Sequence, residues 1–209
     1  MSAIRVEPLA AANLEAAAQL LVSSFLDDQG MLVLFPKQNP DQLKNAMRCW
    51  FVATLTMWHA QEQILLAAYD GGQLVGVLLG GHSALKVSGL TQLKWSLEVG
   101  RRCGFGAVLR TARHDQERQK QFNSASAHIV EFVAVDAIQR GRGVGRDLFA
   151  AYHQMIGEGA SIWLETTRSE NLSIFTKLGY RERSRSISLG AKFVQMVRPP
   201  QRKDCIASS

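Results

Sequence analysis

The chain has 209 residues, of which 46% are hydrophobic, so it can bury a full core, and disorder of the whole chain is excluded. Its apolar stretches are broken by charged or glycine residues well before the roughly 20 residues that span a bilayer, and the N-terminus lacks a signal-peptide apolar segment. A soluble cytoplasmic protein without a membrane partner is therefore expected.

The net charge of +6 is concentrated in the second half of the chain. Residues 1–100 carry 6 Lys and Arg against 8 Asp and Glu, whereas residues 101–209 carry 18 against 10, which gives −2 and +8. The second half should therefore attract an anion. A phosphate-bearing cofactor, nucleic acid and an anionic membrane surface all stay open at this point, as does a basic surface that only maintains solubility.

Neither a disulfide framework nor a metal site is predicted. The three cysteines, Cys49, Cys103 and Cys205, are odd in number and far apart in sequence, which is typical of reduced thiols. His59, His82, His114 and His153 show no ligand spacing, so no metal is expected.

The first 60 residues predict a strand and two helices. Residues 4–6 form the strand, and Asn13 caps a helix that continues to about Phe25. Residues 26–40 predict a loop because they contain glycine and two prolines, and Asp41 is expected to cap the second helix. The aromatic side chains of that second helix are interpreted as core.

A β-hairpin and a helical segment come next. Residues 64–69 and 74–80 are rich in Leu, Val and Ile and flank the turn Asp70-Gly71-Gly72, a pattern typical of a hairpin. Residues 83–124 are predicted to be a mostly helical, Arg-rich insertion. It either covers one end of the sheet or shapes a binding pocket.

The second half predicts alternating strands and helices. Residues 127–135, AHIVEFVAV, are nearly all apolar, as expected for a central buried strand. A connection of five residues leads to a glycine-rich turn and a helix from about Gly145 to Ile156. Further on, we expect a strand at 161–165, a helix at 171–178, a strand at 193–197 and a flexible tail at 201–209.

The turn QRGRGVG, residues 139–145, carries the chemistry. A helix N-terminus presents unpaired backbone N–H groups and a partial positive charge, and glycine lets a phosphate approach them closely. Glycines and arginines alternate here, so the sequence predicts a pyrophosphate site with backbone and charge contacts. Its residues are Arg140, Gly141, Arg142, Gly143, Val144, Gly145 and Arg146.

Two common phosphate loops fit this turn poorly. A Walker loop needs a Lys followed by Ser or Thr, and a dinucleotide fingerprint needs different glycine spacing directly after a strand. Arg140, Gly143 and Gly145 form R-x-x-G-x-G, which resembles the acetyl-CoA motif of the GCN5-related N-acetyltransferase (GNAT) superfamily. The alternative is an ordinary glycine-rich turn.

The resemblance covers roughly residues 4–198 and is weakest over 83–124. IRVEPL, GGQLVGVLLG and HIVEFVAVD occur in the family's order, and NLSIFTKLGY resembles its N-x-x-x-Y-x-x-x-G-F signature. The resemblance implies an α+β fold of α/β/α layers, with a mixed, mostly antiparallel sheet splayed between the fourth and fifth strands. We expect one such domain over residues 1–200, with the insertion inside it.

The resemblance also implies cofactor contacts outside the turn. Backbone groups of Val133, Ala134 and Val135 would pair with the pantetheine arm of acetyl-CoA, and one N–H there would stabilise the developing oxyanion. Asn171 and Phe175 correspond to cofactor-binding positions of the later signature. At Phe175 these enzymes often carry a tyrosine that protonates the leaving thiolate, so a water, Ser173, Thr176 or Tyr180 would have to substitute, or the thiolate leaves unaided.

Two residues of the central strand are candidates for proton transfer. Glu131 interrupts an apolar strand, where burial would raise its pKa, and it precedes Arg140 by nine residues, as an acidic residue does in similar polyamine acetyltransferases. It is the candidate base, and the alternative is a structural pair with an arginine of the insertion. His128 is the weaker candidate, because residues three apart on a strand face opposite sides.

The function predicted is transfer of acetyl from acetyl-CoA to a primary amine of a small molecule. A catalytically weak acyl-CoA-binding or regulatory module and a protein N-acetyltransferase are the alternatives. Nucleic-acid binding is disfavoured, because no module or aromatic stacking platform accompanies the arginines. Assembly as a homodimer stays open. So does the acceptor, be it an aminoglycoside, a polyamine, an amino acid or a protein N-terminus.

Overall fold

The computed structural model describes residues 3–36, 38–82, 88–120 and 127–201. They form a seven-stranded sheet of order β1-β2-β3-β4-β5-β7-β6, in which β4 and β5 are parallel and all other neighbours are antiparallel. The strands are Arg5–Pro8, Ile64–Asp70, Gln73–His82, Ala127–Val135, Ser161–Thr166, Arg181–Ser188 and Ala191–Arg198, numbered β1 to β7. The expected mixed, mostly antiparallel sheet is confirmed.

Seven α-helices cover the two faces of this sheet within the described residues. They are Leu14–Phe25, Gln29–Leu32, Pro40–Ala60, Gly89–Cys103, Phe105–Gln119, Val144–Ile156 and Glu170–Lys177, numbered α1 to α7. Helices α1 to α5 contribute to one hydrophobic cluster, and α6 and α7 contribute to a second cluster on the opposite face. The expected α/β/α layering is therefore present. In the described part of the chain, no helix is long and apolar enough to cross a membrane.

One predicted helix cap is confirmed in position and one is wrong. Asn13 is the N-cap residue of α1, but its side chain makes no capping hydrogen bond, and its Nδ2 donates to the Tyr69 hydroxyl at 2.7 Å instead. Helix α3 begins at Pro40 rather than after Asp41, because Asn39 and Gln42 form a capping box and proline suits the first helical position. The predicted loop at 26–40 also contains the short helix α2.

The predicted hairpin is confirmed, and the segment predicted to be mostly helical is helical where the structure describes it. Gly71 and Gly72 adopt φ of +58° and +88° between β2 and β3, a conformation that favours glycine. Helices α4 and α5 occupy 89–119 of the predicted insertion, whereas 83–87 and 121–126 lie outside the described residues. The predicted tail also lies outside them except for Gln201.

Strand β6 was missed by the sequence reasoning. Its sequence RERSRSIS carries charge and has neither a continuous apolar run nor a clear apolar alternation. The structure explains this composition, because β6 is an edge strand that pairs with β7 alone. Charged side chains protect such an edge from pairing with another chain.

A bulge and a splay shape the centre of the sheet. Leu79 pairs with Phe132 and Gly80 pairs with Val130, so Glu131 is the additional residue on β4. The parallel pairing of β4 with β5 ends at Val130 and Leu164. Beyond that point the two strands separate, as expected, and the edge of β4 that faces β5 has no ladder partner over 131–135 among the described residues.

The two described cysteines are free thiols, as predicted. Cys49 lies on α3 and Cys103 ends α4, and both are half-buried. Burial raises the pKa of Cys103 to about 12, so this thiol stays protonated at neutral pH. Cys205 lies outside the described residues.

Candidate active site

A cleft of about 1540 Å³ opens where β4 and β5 separate. One side is lined by the second half of β4, the glycine-rich turn, the first turn of α6, and α7. The other side is lined by residues of helices α1 to α5. The predicted insertion therefore lines a pocket, and so do residues of the predicted loop at 26–40.

The glycine-rich turn places the N-terminus of α6 at the cleft. Gly141 and Gly143 have φ of +79° and +90°, which side-chain-bearing residues rarely adopt. Gly143 is the N-cap residue and brings no side chain, and among the described residues no side-chain hydrogen bond reaches the first N–H groups of α6. Those groups, at 144–146, have no partner within the helix and lie at its positive end. This geometry fits an anionic group such as a pyrophosphate.

The fold itself does not require glycine at position 145. Its conformation is helical, and a Cβ added there would meet only the Cγ2 atom of Val135, at an ordinary 3.7 Å. The protein therefore leaves room for a side chain at 145. What glycine preserves is the space on the cleft side of the turn, where a ligand can reach the backbone.

The three arginines of the turn have different surroundings. Arg140 and Arg146 line the cleft, and Arg140 Nε also donates to the Val135 carbonyl at 3.4 Å. Arg142 does not line the cleft, and its Nη1 donates to Asp70 Oδ2 at 2.9 Å. Its place in the structure is a tie between the turn and the β2–β3 hairpin, so a direct ligand contact is expected of Arg140 and Arg146 instead.

The other predicted cofactor positions lie along the same side of the cleft. Val133, Ala134 and Val135 line it where β4 has left β5, and Asn171 and Phe175 line it from α7. Phe175 is buried against Phe149, with ring centroids 5.9 Å apart. A phenyl ring at this position packs but carries no proton.

None of the three hydroxyls considered as substitutes reaches the cleft. Ser173 donates to the Glu170 carbonyl, and Thr176 donates to the Leu172 carbonyl at 2.8 Å. The hydroxyl of Tyr180 is buried 3.0 Å from His153 Nε2, and burial raises the pKa of this phenol. Ser173, Thr176 and Tyr180 are all absent from the cleft lining, so water is the remaining proton source of those proposed.

The burial of His153 is expected to make folding sensitive to pH. Burial and Arg198 lower the pKa of His153 from 6.5 to about 4. The unfolded chain therefore binds a proton that the folded chain does not bind between about pH 6.5 and 4. The stability that depends on neutral His153 is complete above this interval and is lost as pH falls through it.

We expect His153→Gln to flatten this dependence. The free energy of unfolding of the wild type should fall more steeply than that of the variant between about pH 6.5 and 4. Urea denaturation across this range measures the difference, and His59→Gln, at an exposed position on α3, serves as the matched control. Parallel curves for the wild type and His153→Gln would show that His153 is not responsible.

The two proton-transfer candidates are separated, as their spacing predicts. Glu131 lines the cleft at the bulge of β4, whereas His128 does not line it and packs edge-to-face on His82 at 4.9 Å. Burial and His82 lower the pKa of His128. The geometry disfavours His128 as the catalytic group. Glu131 stays the candidate base. It accepts a hydrogen bond from Arg118, so the alternative role of Glu131, a structural pair with an arginine of the predicted insertion, also has its partner.

Arg118 belongs to an ionic cluster that α5 brings to the mouth of the splay. His114 Nε2 lies 2.9 Å from Glu165 Oε1, and Arg118 Nη2 lies 3.1 Å from Asp115 Oδ1. Although burial disfavours the charge of Arg118, Glu131 and Asp115 raise its pKa. Burial raises the pKa of Asp115, and Arg118 opposes that shift.

Sequence reasoning missed three members of this cluster, His114, Asp115 and Glu165. His114 was examined only for metal-ligand spacing, and Glu165 was absorbed into a short predicted strand. A signal did exist. His114 and Arg118 are four residues apart on a predicted helix and share one of its faces. Which strands that face meets depends on the tertiary fold.

The fold and the cleft together match a known architecture. A parallel β4–β5 pair that splays, followed by a glycine turn and a helix aimed into the gap, is the architecture of the GCN5-related N-acetyltransferases, and the chain has this fold. No protein-family model and no curated protein sequence matches it. The similarity is therefore visible in structure and not in sequence.

Several solved structures share the fold over almost their whole length. A Corynebacterium glutamicum protein described as histone acetyltransferase HPA2 and related acetyltransferase has a TM-score of 0.72 at 21% identity, with 98% of this chain and 99% of that chain covered. PaiA N-acetyltransferase from Thermoplasma acidophilum, in complex with coenzyme A, has a TM-score of 0.58 at 11% identity, with 94% and 99% covered. The Escherichia coli ribosomal-protein-S18-alanine N-acetyltransferase has a TM-score of 0.56 at 12% identity, with 96% of each chain covered.

Proposed function

We propose that this protein is an acetyl-CoA-dependent N-acetyltransferase that acetylates a primary amine of a small molecule by direct attack. The observation that carries the proposal is the junction of two features in one cleft. Within the part of the chain that the structure describes, a helix N-terminus with unpaired N–H groups lies beside an edge of β4 that has no ladder partner over 131–135. The first feature suits a pyrophosphate, and the second suits an amide-bearing arm.

The donor would lie along β4 and the turn. The N–H groups at 144–146, together with Arg140 and Arg146, would hold the pyrophosphate, and the backbone of Val133, Ala134 and Val135 would pair with the pantetheine amides. Asn171 and Phe175 would flank the arm from α7. Acetyl-CoA supplies an acetyl group activated as a thioester. The fold neighbour solved with coenzyme A supports this choice of donor.

Glu131 is the proposed base. A primary amine is an ammonium ion at neutral pH and must lose a proton before its lone pair can attack. In the balanced reaction, that proton passes to Glu131, an N–C bond forms to the acetyl carbon, the C–S bond breaks, and the acetylated nitrogen releases its second proton to water. A backbone N–H of β4 near the splay would stabilise the developing negative charge on the carbonyl oxygen. The thiolate takes its proton from water, since Phe175 has none to give.

Arg118 fixes the orientation of the Glu131 carboxylate. The guanidinium holds the carboxylate at the bulge, so its orientation toward the cleft is fixed by α5. An arriving ammonium would therefore meet an ordered carboxylate rather than a flexible one. Ordered catalytic groups cost less to reorganise during the reaction, which supports a catalytic site over a binding module.

The experiment that tests the proposal separates binding from turnover. Acetyl-CoA should raise the melting temperature, because a ligand of the native state stabilises it, and an amine panel should release free thiol in the presence of protein. Absence of any thermal shift would contradict acetyl-CoA binding. A shift without thiol release would favour the acyl-CoA-binding module, and release only with a peptide N-terminus would favour a protein N-acetyltransferase.

A further inference from the structure

The half of the cleft opposite the proposed donor residues has an apolar wall. Four elements contribute to it, and four of its six members are aromatic. We call it the aromatic wall. Its residues are Phe25 of α1, Met31 of α2, Trp50, Met57 and Trp58 of α3, and Phe132 of β4.

Phe132 holds the centre of the aromatic wall in place. Its ring lies edge-on to Phe25 at 5.4 Å, to Trp50 at 5.8 Å and to Phe51 at 5.2 Å. Edge-to-face packing on three sides fixes the ring orientations before any ligand arrives. Phe25, Met57, Trp58 and Phe132 are half-buried and present a rigid apolar surface to the cleft. Met31 and Trp50 are buried core residues, as expected for the aromatics of α3, and they support that surface from behind. The surface complements a flat apolar group.

The indole N–H groups of Trp50 and Trp95, near this wall, already have hydrogen-bond partners within the protein. Trp50 Nε1 donates to Thr111 Oγ1 at 3.3 Å, and Trp95 Nε1 donates to Thr54 Oγ1 at 3.1 Å. An acceptor with many hydroxyl groups, such as an aminoglycoside, would lose water here without gaining as many partners. The carboxylate of Asp28 also lines this half of the cleft, but it is already paired with Thr167 and Arg168, so it is a poor site for the second ammonium of a polyamine.

The charged end lies where the wall meets the splay. Asp115 and Glu131 pair with the guanidinium of Arg118, and Glu165 pairs with His114. These three carboxylates outnumber the guanidinium at this end, which suits one ammonium group. Glu131 directly precedes Phe132, and both line the cleft. The ammonium and the apolar body of an acceptor must therefore be joined by a short link.

From this arrangement we infer that the acceptor is a monoamine that carries an aromatic ring on a short alkyl arm. This inference rests on the proposed function for the acetyl transfer, but the acceptor site itself is read from the opposite half of the cleft. The ammonium lies among the carboxylates at the splay, and the ring lies on the aromatic wall. Phenethylamine and tryptamine are suitable probes of this class.

The first test compares acceptors. With acetyl-CoA present, kcat/KM for phenethylamine should exceed the values for spermidine and kanamycin by about 30-fold or more, as expected from burial of one aromatic ring. Calorimetry should also detect phenethylamine binding without acetyl-CoA. A preference for spermidine, kanamycin or a peptide, or no phenethylamine binding, would overturn the inference.

The second test removes one ring of the wall. Phe25→Leu should raise KM for phenethylamine by about 2- to 10-fold, with the thermal shift by acetyl-CoA retained. Phe105→Leu is the matched control, since Phe105 is 62% exposed and lies outside the cleft lining. Equal effects of both variants on KM would contradict the aromatic wall. Loss of the acetyl-CoA shift in the wild type would instead contradict the proposed function, and phenethylamine calorimetry would still decide the acceptor class.

Discussion

Gly145→Leu is expected to abolish acetyl-CoA binding without weakening the fold. Position 145 is helical, and a Cβ there meets only Val135 at 3.7 Å, so the protein tolerates the new side chain. Leucine also favours a helix over glycine by about 0.8 kcal/mol. The side chain would instead occupy the space through which a pyrophosphate reaches the N–H groups of α6.

The expected loss of affinity is large because several charge-assisted hydrogen bonds fail together. Two such bonds are worth roughly 3 kcal/mol or more, which corresponds to about 100-fold in Kd. The thermal shift produced by acetyl-CoA measures this loss, and urea unfolding of the free protein measures the fold. Gly159→Leu is the control, because a Cβ at 159 meets nothing within 4 Å and the residue lies outside the cleft lining. Unchanged acetyl-CoA binding by Gly145→Leu would refute the assignment of the turn.

Glu131→Gln is expected to lower kcat by about 100- to 10,000-fold, the range typical of a lost general base. Glutamine keeps the size of the side chain and an oxygen for Arg118, but it cannot take a proton from the ammonium. The variant should also lose the rise of kcat/KM with pH on the acidic side. Binding of acetyl-CoA should stay intact, since Glu131 lies apart from the turn.

Glu165→Gln provides the comparison that gives this result its meaning. Glu165 faces the same cleft from β5 and is paired with His114 at 2.9 Å. Because Glu165 is expected to attract the ammonium rather than take its proton, the Glu165→Gln substitution should raise KM more than it lowers kcat. If Glu165→Gln removes the acidic limb of the pH profile and Glu131→Gln does not, the base is Glu165.

Secondary structure was predicted correctly where the residue pattern was strong and missed where it was weak or ambiguous. Strand β4 was predicted at its observed bounds because an apolar run of nine residues needs burial on both sides. Strand β6 was missed because its residues belong to an exposed edge, which removes the apolar signal. The cap of α3 was misplaced because Asn39, Pro40 and Asp41 all suit a helix start, and only the chain path selected Asn39.

The candidate site divides in the same way. The turn at 139–145 was predicted from sequence, since glycine spacing, a preceding buried strand and a following helix are contiguous in the chain. The ionic cluster was not, because His114 and Glu165 are 51 residues apart and meet only through the packing of α5 on the open end of the sheet. Arg142 shows the same limit: its charge suited a phosphate, and only the fold reveals that it pairs with Asp70, 72 residues away.

The sequence by itself determined the local geometry of this protein: a strand, a left-handed glycine turn and a helix N-terminus in succession, with an acidic residue on the strand. Local backbone preferences fix such features, because they involve neighbours in the chain. Only the tertiary structure decided that β4 bulges at Glu131 and separates from β5, and that α5 brings Arg118 and His114 to the two carboxylates at that gap. Those contacts join distant segments. They form because burial of the two hydrophobic clusters, one on each face of the sheet, brings the segments together.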